Sequence, residues 1–252
     1  SAANLTAAAR MCAEAQKPVI LIGGGAIRLG HAVRRFAEAL DAPVISTTNA
    51  RGVMAGHALD VPASPSLACI RELLAGSDLV LALGTELGPT DCDMYEDGGF
   101  ALPANLIRVD IDASQLARGP KPDLAIRAAL GAFIEDMLAN AGAWTQQRSG
   151  EGTERANSAR QHARAEIGQA YLGHVDLLQE IWAALPEATL VGDSTQLVYA
   201  GNMYVEAPRE TAWFNSATGF GTLGYAAPAA IGAALGHPGR PVVALLGDGG
   251  FQ

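Results

Sequence analysis

The sequence predicts an α/β protein: a doubly wound parallel sheet followed by a second, truncated α/β domain. Three observations carry this. Short unbroken apolar runs, such as 17–22 and 78–83, have the length of strands buried on both faces. Segments of helical spacing alternate with those runs at the intervals of βαβ units. Gly stands at 29 positions while aromatic residues make up only 6%, a composition that lets helices pack closely on a sheet.

In chain order, a helix is expected over 7–15 and a strand over 17–22. A Gly23-Gly24-Gly25 turn follows, then a helix over 29–40 that lines up Val33, Phe36, Ala37 and Leu40 on one face. A strand at 43–46 and a loop through 49–57 lead to a helix over 66–74 and a strand at 78–83. Strands at 105–109 and 123–127 and a helix over 130–138 close the first unit, residues 1–142. Periodicity fades and polar residues take over through 143–170, which reads as a linker with a helical later half. The second unit, 171–252, begins with an amphipathic helix over 174–185. It continues with strands at 189–191, 211–214 and 242–246, separated by helices over 196–204 and 226–235. Three strands are few for an open α/β sheet, so this unit is expected to be incomplete.

The composition also excludes partners. A formal charge of −9, with no basic run longer than Arg34-Arg35, argues against nucleic acid. The apolar runs are strand-length, so no membrane span is expected, and the first residues lack a signal-peptide pattern. Cys12, Cys69 and Cys92 are far apart and without CxxC spacing, which suits reduced thiols in a cytoplasm. The five histidines show no metal-ligand spacing, and no nucleophile elbow is present.

Candidate ligand sites sit where strands end. Gly23–Gly25 can cradle a phosphate or simply make a tight turn; both readings stand, although the full GxGxxG pattern and its acidic partner are missing. Asp110 and Asp112 can hold a ribose or cap a helix, with capping favoured. Asp91, Asp93, Glu96 and Asp97 form an acidic cluster that reads as a solvated loop before a metal site. Gly247-Asp248-Gly249 differs by its context, because it follows a buried strand at the edge where α/β sheets bind ligands. There Asp248 can hold Mg²⁺ against a diphosphate, while the strand-to-helix turn with Ser194 and Thr195 supplies amides and hydroxyls to its other side.

The run from Thr218 to Ala233, Thr-Gly-Phe-Gly-Thr-Leu-Gly-Tyr-Ala-Ala-Pro-Ala-Ala-Ile-Gly-Ala, followed by the strand that ends in Gly247-Asp248-Gly249, resembles the thiamine-diphosphate enzymes of the acetolactate synthase and benzoylformate decarboxylase group. The first unit looks like their Rossmann-like central domain. The resemblance implies thiamine diphosphate and Mg²⁺ as cofactors, with Asp248 as metal ligand. It implies that Leu223 props the cofactor, with Thr222 beside it, and that the Gly221 carbonyl accepts from the aminopyrimidine. Asp193, Ser194 and Thr195 then face the diphosphate, with Gly247, Gly249 and Gly250 around the metal. No catalytic residue is assigned within the chain, because the activating glutamate of the family lies in a domain without a counterpart here.

The implied activity is decarboxylation or carboligation of a small 2-oxo acid, with 5-guanidino-2-oxopentanoate as one substrate. The implied assembly is a homodimer or homotetramer, and the 252 residues alone are expected to be an inactive fragment. FAD or ADP in the central domain is left open by Gly23–Gly25. The alternative from another class is a non-catalytic adenine-nucleotide binding module.

Overall fold

The computed structural model describes residues 1–93, 102, 105–145 and 150–252. Its elements run α1 (Ala2–Glu14), β1 (Pro18–Ile22), α2 (Gly30–Leu40), β2 (Val44–Ser46), β3 (Asp60–Val61), α3 (Ala68–Ala75), β4 (Leu79–Leu83), α4 (Pro89–Cys92), β5 (Asn105–Asp110), α5 (Ala113–Leu116), β6 (Leu124–Arg127) and α6 (Leu130–Ala139). The second part holds α7 (Glu151–Ala184), β7 (Thr189–Gly192), α8 (Gln196–Met203), β8 (Trp213–Asn215), α9 (Ala226–Gly236), β9 (Val242–Leu245) and α10 (Asp248–Phe251).

Six strands form one parallel sheet in the order β3-β2-β1-β4-β5-β6, and three form another in the order β8-β7-β9. The expected doubly wound α/β architecture is therefore present. β1 shows why its sequence is apolar without interruption. Ile20 and Ile22 face the layer of α1, α2 and α6, while Val19 and Leu21 face α3 and α7. All four are fully buried, each stabilising the fold by about 1.5–3 kcal/mol. The predicted face of α2 is buried as read. Phe36 meets the rings of Phe133 and Trp144 edge-on, with centroids 6.2 and 5.5 Å away.

Two elements differ from the sequence expectation. β3 is only two residues long and begins with Asp60, so no apolar run announces it. The stretch expected as a linker is largely part of the fold. α7 runs from Glu151 to Ala184, joining the expected later-half helix and the amphipathic helix into one. Its first half buries Ala156, Ala159, Ala163 and Ile167 against the first sheet, and its second half buries Leu178 and Trp182 in the core of the second. Small alanines at helical spacing carry this stripe, so polar composition masked it. Close approach is enforced at Gly152, where a Cβ would lie 2.2 Å from the Asp41 carbonyl.

The seam between the sheets is also backbone-bonded. Ser64 N donates to Met203 O (2.8 Å), and Val205 N donates to Pro62 O (3.2 Å). Ala63 and Tyr204 form an antiparallel bridge there.

Gly168 bends α7 with φ 74° and ψ 166°, a backbone region that only glycine occupies without strain. A Cβ there would meet nothing within 4 Å, so the cost of a substitution is conformational. Gly168→Ala is expected to destabilise the protein by about 1–3 kcal/mol, read as a lower urea midpoint with an unchanged slope.

Candidate cofactor site

Parallel pairing puts the carboxyl ends of β7, β8 and β9 on one edge of the second sheet. The turns that leave them carry the residues singled out from sequence. After β7, Thr195 is the N-cap residue of α8, and its carbonyl accepts from Val198 N and Tyr199 N at 2.9 Å each. After β8, a turn over 216–221 closes on Ser216 O, which accepts from Gly219 N (3.1 Å) and Gly221 N (3.0 Å). Leu223, 60% exposed, projects between Gly221 and Gly224, both at positive φ. Thr222 beside it is exposed as well. After β9, Gly247 is the N-cap residue of the short α10, and Asp248 and Gly249 are exposed at its start.

Asp193 and Ser194 tie these turns together. The Asp193 carboxylate is fully buried. It accepts from Ser194 N (2.7 Å) and, across the sheet edge, from Ala226 N at the start of α9 (3.2 Å). A Cβ on Gly250 would lie 3.0 Å from Asp193 Oδ2, so glycine there allows the third turn to close on the same carboxylate. This corrects one expectation. Asp193 is fully buried and presents no surface to a diphosphate; its carboxyl holds the frame. Ser194 Oγ donates to Gly221 O at 2.9 Å and lies 3.2 Å from Ser216 Oγ. The Gly221 carbonyl therefore has one lone pair engaged and one left.

The donor chemistry of this edge fits a metal-bound diphosphate. Asp248 is a hard carboxylate of the kind Mg²⁺ takes. The main chain at Gly221, Gly247 and Gly249 is bare, with nothing within 4 Å of a built Cβ. Ser194 and Thr195 supply hydroxyls beside the start of α8, where anions are favoured. Among the described residues, no group of three or more His, Cys, Asp or Glu side chains is placed to hold a metal. A cleft of about 410 Å³ opens beside this edge, lined by Thr90, Ser194, Tyr199, Asn202 and Phe220.

The first sheet treats its own glycine turn differently. Gly23 N donates to Leu83 O (3.1 Å) and Gly25 N to Gly84 O (3.0 Å), so two of the three amides are already bonded. A Cβ at Gly23 would lie 2.4 Å from Gly84 O, which is why glycine stands there. At the start of α2, the Glu210 carboxylate from the other unit accepts from Arg28 N (2.5 Å) and Gly30 N (3.2 Å). A side chain of the protein thus fills the place where a nucleotide phosphate would bind. The tight-turn reading accounts for these glycines.

The other candidates resolve simply. Asp112 is the N-cap of α5 and accepts from Ser114 N at 2.8 Å, as expected, and Asp110 Oδ1 accepts from Asp112 N. Asp91 accepts from Thr48 N, and Asp93 pairs with Arg71 at 2.8 Å. Glu96 and Asp97 lie outside the described residues.

A larger cleft, about 610 Å³, lies on the seam, lined by His57, Asp60, Arg160, Gln179 and Glu206 among others. The buried Asp60 carboxyl is pushed up to about 7, mainly by loss of hydration, with Arg51 and Arg160 opposing the shift. Its Oδ1 has no hydrogen-bond partner. The fully buried Arg51 is lowered to about 10 by the same desolvation. This pair belongs to the packing of the seam.

Sequence reasoning missed Glu210, Asn202 and Asn215. The contacts of the first two span long sequence separations and leave no local pattern. Asn215 heads an Asn-Ser-Ala-Thr run, and its side chain accepts from Ala217 N at 3.0 Å, a capping signal that local reading can find.

Comparison with known proteins agrees with this architecture of two parallel α/β units. Residues 5–137 match the family model "thiamine pyrophosphate enzyme, central domain", and residues 193–252 match "thiamine pyrophosphate enzyme, C-terminal TPP binding domain". The chain belongs to the thiamine pyrophosphate (thiamine diphosphate) enzymes, as its glycine turn and final strand suggested. It is 37% identical over 251 residues to the probable 2-ketoarginine decarboxylase AruI of Pseudomonas aeruginosa, covering 98% of this chain and 44% of that protein. It is 30% identical over 262 residues to an acetolactate synthase of Mycobacterium bovis (97% and 41% covered). It is 31% identical over 291 residues to the sulfoacetaldehyde acetyltransferase of Castellaniella defragrans (99% and 47% covered). The chain thus spans less than half the length of these relatives. Among the described residues, no helix is long and apolar enough to cross a membrane.

Two outcomes follow from the seam. Glu210→Ala leaves two amides at the start of α2 without their carboxylate and is expected to cost about 1–2 kcal/mol in a denaturant titration. Asp60 gives a pH signature. Its carboxyl ionises near 3.8 when unfolded and near 7 when folded, so between those values the unfolded state holds fewer protons. Its contribution to stability therefore falls as pH rises from about 4 to 7, by about 1.4 kcal/mol per pH unit. Asp60→Asn is expected to remove that slope, measured as the difference between variant and unaltered protein in denaturation midpoints across this range.

Proposed function

We propose that this chain forms the central domain and part of the diphosphate-binding domain of a thiamine-diphosphate- and Mg²⁺-dependent enzyme that decarboxylates or joins 2-oxo acids. The observation that carries the reading is the convergence of three strand-end turns on one edge, with bare glycine main chain around Asp248, in a chain of this family. Residues 1–142 are assigned to the central domain, 143–170 to the connection and 171–252 to the diphosphate-binding domain. Similarity to a probable 2-ketoarginine decarboxylase makes 5-guanidino-2-oxopentanoate the first substrate to test.

When bound, thiamine diphosphate supplies a carbon nucleophile that adds to the carbonyl of a 2-oxo acid and takes up the electron pair left by CO₂. The residues of the chain bind and orient. Asp248 ligates Mg²⁺, with Gly247, Gly249 and Gly250 letting the main chain approach. Ser194 and Thr195 hold the diphosphate. Leu223, beside Thr222, props the cofactor, and the remaining lone pair of the Gly221 carbonyl accepts its amino group. Asp193 ties the turn after β7 to the start of α9, and Gly250 packs against it. Because the chain spans less than half the length of its relatives, activity is assigned to the full-length protein, a homodimer or homotetramer.

The test is CO₂ release by the full-length protein from 5-guanidino-2-oxopentanoate and pyruvate, with and without thiamine diphosphate and Mg²⁺. Release that depends on both cofactors is expected, and Asp248→Asn should lower it on the order of a hundredfold or more. Binding of FAD or ADP without any thiamine-dependent release would point to the nucleotide-binding module instead.

A further inference from the structure

Two buried asparagines stand behind the turn at 216–221. Asn202 comes from α8 and is 3% exposed; Asn215 ends β8 and is fully buried. Their amides are paired reciprocally. Asn215 Nδ2 donates to Asn202 Oδ1 at 2.8 Å, and Asn202 Nδ2 donates to Asn215 Oδ1 at 3.3 Å. Neither amide can be flipped without loss. Trp213 Nε1, which can only donate, points at Asn202 Oδ1 (3.3 Å), and the amide of Ala217 points at Asn215 Oδ1 (3.0 Å).

The pair lies between two fixed points. On one side, the buried Arg51 of the first unit donates from Nη2 to Asn202 O at 3.0 Å, holding α8 against the seam. On the other side, Asn215 carries the start of the turn. Its Oδ1 caps Ala217, and its carbonyl accepts from Thr218 Oγ1 at 2.9 Å. From there Ser216 O gathers Gly219 N and Gly221 N, and Ser194 Oγ meets Gly221 O. Apolar side chains of the same volume would fill the space as well, but they could not fix the turn's direction.

We infer that the Asn202–Asn215 pair is a positioning device. It registers the turn at 216–221 against α8 and, through Arg51, against the loop between β2 and β3 of the first unit. It thereby sets where the Gly221 carbonyl and Leu223 stand. The functional half of this inference rests on the reading of that turn as cofactor support. Asn202 reaches the wall of the 410 Å³ cleft, but the amide pair itself is buried and acts through the turn.

The test uses the full-length protein with Asn215→Asp. This variant keeps the volume and the acceptor for Ala217 N, but sets a second acceptor against Asn202 Oδ1 where a donor stood. Hydrogen exchange without cofactor, followed by mass spectrometry on peptides spanning 213–224 and 187–192, is expected to speed up about ten- to hundredfold in the turn and to stay within about twofold in β7. Affinity for thiamine diphosphate with Mg²⁺ should weaken about tenfold or more, with kcat falling by a larger factor than KM for the oxo acid rises. If Asn215→Asp does not fold, Arg51→Met, which leaves both asparagines in place, should show the same pattern at smaller amplitude.

Unchanged exchange in the turn, or equal acceleration in the turn and β7, overturns the inference, and so does unchanged cofactor affinity with a loosened turn. Failure of the unaltered protein to bind thiamine diphosphate overturns the cofactor reading beneath it. The two failures are told apart because the exchange measurement involves no cofactor.

Discussion

Parallel pairing is the constraint on which the rest depends. Because β7 lies between β8 and β9 and runs parallel to both, the three turns that leave them share one edge. A buried carboxylate then makes a site out of that neighbourhood. Asp193 is fixed by backbone donors from its own turn and from the start of α9, and Gly250 is small enough to close on it. A buried carboxyl is tolerated when such bonds replace its water, and those bonds tie the turn after β7 to the start of α9, with Gly250 packed against the same group. The exposed groups, Asp248 and Leu223 among them, stand on this frame.

The first sheet contributes by being closed. Its glycine turn spends two of its three amides on the neighbouring strand's turn, and the start of α2 is met by Glu210 from the second unit. What reads as a nucleotide site in one dimension is a docking face in three. α7 serves the same end, running along the first core and into the second. The two sheets are thus joined by helix, main chain and carboxylate, and the cleft at Thr90 and Ser194 lies between them.

Legibility in the sequence followed the physics of each element. β1 and β4 were visible because burial on both faces demands an unbroken apolar run, and α2 because one buried face imposes helical spacing. The place of Asp248 after a strand was visible because glycines on both sides of an acid are a local turn pattern. β3 was hidden by its two-residue length, and the buried stripe of α7 by the small size of its alanines. Asp193 was assigned to the ligand because its position in the turn is local information, whereas its burial is set by α9 and the last turn, far along the chain. Asn202 on α8 meets Asn215 on β8 only once the helix packs on the strand, and Glu210 reaches α2 across 180 residues, contacts that periodicity does not signal.

The central claim is that the carboxyl edge of the second sheet holds the cofactor through Asp248. It is tested most directly by a structure of the full-length protein with thiamine diphosphate and Mg²⁺. The account predicts the metal on the Asp248 carboxylate, the diphosphate against Ser194 and Thr195, and Leu223 in contact with the cofactor. A metal bound elsewhere, or a cofactor seated in the Asp60 cleft or on the glycine turn of the first sheet, would contradict it.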